Sequence, residues 1–115
     1  MNSMSFEEFL PWLKNIDHKE PIGITSKCYV KADKVSKYRQ IMKGHVAFVN
    51  CQIGVRRYQL HSDSKNPLAF WQFEKWDSVR DLKNLWSSET IIKNAELLQD
   101  TFDQPALQIR PYKTK

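Results

Sequence analysis

The residue types that carry most enzyme chemistry are sparse in this chain and poorly spaced for it. His18, His45 and His61 show no metal-ligand spacing, and Cys28 and Cys51 stand far apart with no C-x-x-C pair. The sequence therefore predicts two buried free thiols, no disulfide and no structural metal. Three glycines leave no phosphate-cradling loop. No nucleophile–base pair or carboxylate dyad can be placed. What remains is aromatic. The stretch Phe70 to Glu89, FWQFEKWDSVRDLKNLWSSE, holds three of the four tryptophans. Trp71 and Trp76 are candidates to line a pocket between a sheet and its helices, or else plain core aromatics. Ser26 could bond a ligand or simply the backbone of its strand. Arg56, Arg57, Tyr58 and His61 cluster near one predicted strand. The plain alternatives there are a solvated bulge for the arginines and a hairpin-edge surface position for His61. His45 reads as a core-edge histidine.

The elements that must position these residues follow from periodicity. Residues 5–16 predict a helix: Ser5 with Glu8 forms a capping-box pattern, and Phe6, Phe9, Leu10 and Leu13 make an apolar stripe. Pro11 should break or kink it. Residues 15–21 are a polar connector, so residues 1–20 read as an appendage and residues 21–115 as the main domain. Residues 21–31 alternate as a strand, with Ile22, Ile24, Ser26, Cys28 and Val30 on one face and Ser26 interrupting it. Asp33 can cap a helix running to about Ala47, with Val35, Tyr38, Ile41, Met42, His45 and Val49 inward. Residues 51–61 predict a second strand. Its apolar parity switches from Cys51, Ile53 and Val55 to Tyr58 and Leu60, and a bulge at Arg56-Arg57 would keep both halves on the core. The run HSDSKNP is a hairpin loop, and Leu68 to Trp76 a third strand. Helices over about 78–87 and 88–101 follow, the second with Ile91, Ile92, Ala95 and Leu98 inward. Residues 105–112 form a last strand, with Leu107 and Ile109 on one face.

This order is βαββαβ with a divided second helix and an extra N-terminal helix. It is an α+β, ferredoxin-like pattern with helices on one face of a four-stranded antiparallel sheet. The third strand carries Phe70 and Trp76 at one parity, and Trp71 and Phe73 at the other. An antiparallel sheet with one wet face should alternate. The second face is therefore expected to be covered by a second copy, as a homodimer through the sheet.

At 115 residues, 41% hydrophobic and 27% charged, the chain has the composition of one globular domain. Its net charge of +5 is spread over scattered lysines, with Arg56-Arg57 the only compact pair. Nucleic acid is disfavoured as a partner. No apolar run approaches membrane-spanning length, and MNSMSFEEFL lacks a basic leader start, so the expected location is cytoplasmic with no membrane partner.

Three segments, YVKADKVSKYRQ, NCQIGVRRYQLHSD and NPLAFWQFEKWDSVRDLKNLWSSE, together resemble the antibiotic biosynthesis monooxygenase domain family over about Ile22 to Tyr112. Glu74 and Trp76 match its frequent E-x-W, and Ser87-Ser88 its Ala-Ser turn. Leu85 stands where many members carry a histidine, and Asn50-Cys51 where a Pro-Gly is usual. The related haem-degrading enzymes use an Asn, a Trp and a His at positions that here hold Ser26, Trp76 and Ala95. With no imidazole at Ala95 there is no axial iron ligand, and haem degradation is disfavoured.

The resemblance implies a small dimeric αβ-barrel and a cofactor-free oxygenase for quinol-type aromatics, in which the substrate anion itself reacts with oxygen. The protein would supply an apolar slot shaped by Trp76, with Arg56 or Arg57, Tyr58 and His61 as polar groups and an arginine favouring the phenolate. Two other readings stay open. One is a dimeric module binding a small apolar or aromatic ligand without chemistry. The other is an interaction domain whose residues 1–20 cover the pocket mouth or hold a partner. An apolar cavity with a convergent Arg, Tyr or His would favour the enzyme, and one filled by Trp71, Trp76 and Trp86 would favour the others.

Overall fold

The computed structural model of the protein describes residues 3–114, and within them the side chains of all but Phe6 and residues 104–107. In chain order the elements are α1 (Phe6–Lys14), β1 (Ile22–Val30), α2 (Val35–Val49), β2 (Val55–Ser62), β3 (Ala69–Trp76), α3 (Val79–Trp86), α4 (Glu89–Leu98) and β4 (Phe102–Lys113). The strands form one antiparallel sheet in the order β2-β3-β1-β4, which is the ferredoxin-like arrangement expected. The expected inward positions of Phe6 and Leu107 lie outside the described residues.

Register sets which side chains share a face. Ile24 pairs with Glu74, Ser26 with Gln72 and Cys28 with Phe70, while Tyr58 of β2 pairs with Glu74. These residues therefore point the same way, toward the helices. The bulge lies where the parity switch placed it, between Val55 and Arg57, and it turns Tyr58 onto the buried face. The strand itself starts later than expected. Cys51 to Gly54 form a turn that leaves Cys51 and Ile53 exposed, so only Cys28 is a buried thiol. Gly54 adopts φ 86°, a left-handed conformation that suits glycine, and a Cβ there would strike Asp81. Its carbonyl accepts from Asp77 N at 2.7 Å, closing the turn onto the start of α3.

The helix ends show which polar residues do the capping. Ser78 accepts from Asp81 N at 3.2 Å and Ser88 from Ile91 N at 3.2 Å, which separates α3 from α4. Asp33 is not a cap: a 3-10 turn over Ala32–Lys34 precedes α2, whose N-cap Lys34 makes no side-chain bond. In α4, Leu98 is buried, but Ile92 and Ala95 are exposed: the register of the helix turns Ile92 away from the sheet, and Ala95 lines an open cavity.

The sequence set residues 1–20 apart, yet α1 is built into the core. Its capping box is closed in both directions, at 3.2 and 3.1 Å. The helix continues through Pro11, because Phe9 and Leu13, 1% and 2% exposed, anchor it on both sides of the lost hydrogen bond. Met4 bridges to Ile109 and covers the outer edge of β4. The connector is also used: the carbonyls of Glu20 and His18 accept from Val79 N and Arg80 N, satisfying the first turn of α3. None of the described helices is long and apolar enough to cross a membrane.

Phe9→Ala should therefore destabilise the domain by about 3–5 kcal/mol, the range for truncating a buried phenylalanine. Chemical denaturation checks this. An appendage helix would leave the midpoint where it was.

Candidate functional site

The buried side chains form two groups. One gathers Phe9, Ile24, Tyr58, Trp76, Leu85 and Ile109, with others, under α1 and α3. The second gathers Cys28, Tyr38, Met42, Phe70 and Leu98 under α2 and α4. Between them the helix-facing side of the sheet is polar or small, at Ser26, Gln72 and Glu74, and α4 sets the short Ala95 between Ile91 and Leu98. Too little side-chain volume meets there to close the interior, and a cavity of about 350 Å³ remains. Its wall includes Ser26, His45, Tyr58, Gln72 and Glu74, with Phe9, Leu85 and Trp86 among the apolar contributors.

Glu74 is the unusual member. It is 7% exposed on the wall of an apolar space, where a carboxylate loses most of its hydration. Burial raises its pKa from 4.5 to about 7, and the Trp76 indole partly offsets this by donating from Nε1 to Oε1 at 2.8 Å. Residues two apart on a strand share a face, which is why the E-x-W spacing brings indole and carboxyl together.

The neighbours of Glu74 are ordered. Tyr58 Oη donates to Gln72 Oε1 at 2.7 Å, and burial with the nearby Glu74 charge pushes its phenol well above the ordinary value. Gln72 also bonds Tyr38, whose hydroxyl lies 3.4 Å from Cys28 Sγ. Burial raises both the Tyr38 phenol and the Cys28 thiol, so these groups stay protonated at neutral pH. His45 packs edge-on to Tyr58 with ring centres 5.6 Å apart. Burial lowers its pKa and favours the neutral ring. Asn94 Nδ2 lies 3.1 Å from His45 Nδ1; with the amide donating, the ring proton sits on Nε2.

The seven residues singled out from sequence separate in space. Ser26 and Tyr58 lie on the cavity wall. Trp76 is fully buried and holds Glu74 from the side. Arg56 lies at the end of the sheet, donating from Nε to Asp77 Oδ1 at 2.6 Å. Arg57 is exposed, and its pairing with Lys75 puts it on the sheet face away from the helices. His61 and Trp71 face that way too: Trp71 stacks near Phe73, donates to Asp63 at 2.9 Å and lies under Lys27 Nζ. The cavity instead recruits Glu74, Gln72 and His45. The signal for Glu74 and Gln72 was in the sequence, since both share the parity of Phe70 and Trp76 and so belong to the buried face of β3. Among the described residues no group of three or more His, Cys, Asp or Glu could hold a metal ion.

A raised carboxyl has a stability signature. The unfolded chain ionises Glu74 near 4.5 and the folded chain near 7, so the native state holds the extra proton between them and stability falls as pH rises through that window. The loss is on the order of 3 kcal/mol. Denaturation at pH 4.5 and 8 should show it, and Glu74→Gln, which carries no ionisable proton, should remove this part of the decline. A variant with the same pH dependence as the native protein would mean that Glu74 ionises normally.

The chain matches no protein-family model and no curated protein. Its fold does match solved structures. A conserved protein from Methanosarcina mazei aligns with a TM-score of 0.77 at 21% identity, over 85% of this chain and 96% of the other. A Caulobacter crescentus protein, provisionally described as an antibiotic biosynthesis monooxygenase, aligns with a TM-score of 0.80 at 17% identity, over 89% and 96%. A Nitrosomonas europaea protein with the same provisional description aligns at 0.78 with 13% identity, over 86% and 94%. At such identities the likeness establishes architecture, and the chain has the ferredoxin-like α+β fold of these antibiotic biosynthesis monooxygenase-like structures.

Proposed function

We propose that this protein is a cofactor-independent monooxygenase acting on a small quinol-type aromatic. The observation that carries the reading is Glu74, a carboxyl poised near neutrality on the wall of an apolar cavity. A phenol has an acidity constant near 10, so transfer to an ordinary carboxylate is uphill by roughly six units. With Glu74 at about 7 the gap narrows to roughly three units, which raises the phenolate fraction by a factor of several hundred. The exchange also keeps the charge in the cavity constant, one anion before and one after. No buried cation is required, which fits the placement of Arg56 and Arg57 away from the cavity.

Once formed, the phenolate is an electron donor to oxygen. The balanced reaction is quinol plus O₂ to hydroxyquinone plus water. One oxygen atom enters the ring, the other leaves as water, and the substrate supplies all four electrons. Tyr58 commits its proton to Gln72, so its oxygen can accept from a second substrate hydroxyl. Ser26 can orient the same ring from the sheet floor, and Trp76 fixes the carboxyl. Tyr58 and His45 converging on an open cavity favour this reading over a purely binding module.

Oxygen uptake with a panel of quinols, with no flavin or metal added, tests it. Consumption should exceed the uncatalysed rate, rise with pH through about 7, and fall at least a hundredfold in Glu74→Gln without loss of fold. Turnover equal to the native rate in that variant would remove Glu74 as base. No consumption by the native protein would leave a small-molecule binding module.

The reading also includes a homodimer. On the sheet face away from the helices Trp71 and Phe73 are only half-buried, and Tyr112 is 38% exposed. Aromatics gathered on an open sheet face are what a second copy would cover. Sedimentation at micromolar concentration should give twice the chain mass, and Trp71→Asp should return it to the single mass with secondary structure intact. A native monomer would end this part of the proposal.

A further inference from the structure

The cavity does not end at its apolar wall. Trp86, Ile91, Ala95 and Gln99 line it and also line a groove of about 460 Å³ beside α1 and α4, so the groove adjoins the cavity across these four shared residues. The chemistry changes along it. The inner end carries Ser26, Tyr58, Gln72 and Glu74. The outer end carries Leu10 and Ile92, which are 37% and 50% exposed, together with Trp86 and Ile91. At about 350 Å³ the inner cavity is at the small end for ligand pockets, with room for a ring system and little more. Large apolar residues left half in water beside such an opening gain by contact with hydrocarbon, and the core does not need them there.

We propose that the ligand is a phenol or quinol bearing a hydrocarbon tail, with its ring at Glu74 and its tail in the groove between Leu10 and Ile92. This rests on the reading of the Glu74 cavity as the seat of the phenolic ring. The polar-to-apolar gradient selects an amphipathic molecule: a compact polyhydroxylated aromatic would leave the groove wet, and a plain hydrocarbon would leave the second oxygen of Glu74 and the acceptor capacity of Tyr58 unused. The groove lining is mainly apolar, at Leu10, Trp86, Ile91, Ile92 and Ala95, with Glu96 and Gln99 as its polar members, which suits a hydrocarbon tail.

The test is equilibrium binding of 4-alkylphenols from phenol to the decyl homologue, followed by tryptophan fluorescence and calorimetry on the full chain. Affinity should rise about fourfold for each added methylene until the groove is filled. Ile92→Asp and Leu10→Asp should flatten that dependence and weaken the decyl member at least tenfold, with melting temperatures near the native one. Ile53→Asp serves as the control for non-specific adsorption, because Ile53 is 88% exposed in the turn before β2, and it should keep the full gain. Equal affinity across the series overturns the proposal, as does a gain that survives in Ile92→Asp or is lost in Ile53→Asp. Self-association abolished by Ile92→Asp would assign the groove to a second copy and overturn it too. Binding needs no turnover, so the two readings fail separately. A chain-length gain without quinol oxidation supports the tail groove and removes the oxygenase, whereas oxidation without a gain removes the tail groove alone.

Discussion

Burying one carboxyl group is the constraint around which this interior is arranged. A charge taken out of water costs several kcal/mol unless it is paired or neutralised. Among the described residues no cation pairs with Glu74, so the fold answers with one indole N–H and with a proton held to about pH 7. The Trp76 side chain thus has two roles that pull in one direction. Its ring is among the largest fully buried groups of the core, and its N–H orients the carboxyl. Losing it would weaken packing and leave the carboxyl unanchored.

The same constraint accounts for the divided core. A continuous apolar layer under four helices would be the more stable solution, and Ser26, Gln72 and Glu74 prevent it by occupying adjoining positions in the middle of β1 and β3. Opposite them α4 supplies Ala95, which cannot reach across. The fold recovers stability elsewhere. α1 buries Phe9 and Leu13 against the sheet, and the chain before β1 satisfies the open first turn of α3. Local agreement between pattern and structure fails mainly at the cavity, where function commonly sets the residues.

The sheet divides the chemistry between its two faces. Odd positions of β3, Trp71 and Phe73, form an exposed aromatic layer with His61 and Lys27. Even positions, from Phe70 to Trp76, face the helices, and two of them, Gln72 and Glu74, line the cavity. Residues adjacent in the sequence therefore belong to different surroundings, an open aromatic face on one side and the cavity on the other. Arg56 belongs to neither, since its partner Asp77 ties the bulge to the start of α3.

The sequence by itself determined the order of elements, the faces of the strands and the bulge before Tyr58, because each rests on local periodicity or on one residue's backbone preference. The capping box of Ser5 and Glu8 was legible for the same reason: a side chain and an amide three residues apart interact whatever the rest of the chain does. Two errors were also local in origin. Cys51 and Ile53 alternate like a strand but sit in a turn that Gly54 and its contact with Asp81 enforce from a distance. Pro11 reads as a break until the burial of Phe9 and Leu13 outweighs it. The site was only half legible. Alternation placed Ser26 and Tyr58 on the buried face, but it could not say that Glu74, Gln72 and His45 meet there, or that Arg57, His61 and Trp71 lie beyond the sheet. Only the tertiary structure decided this, because the acidity of Glu74 depends on desolvation by Phe9, Leu85 and others brought in from elements far along the chain. A cavity is a failure of distant surfaces to meet, and no local pattern records it.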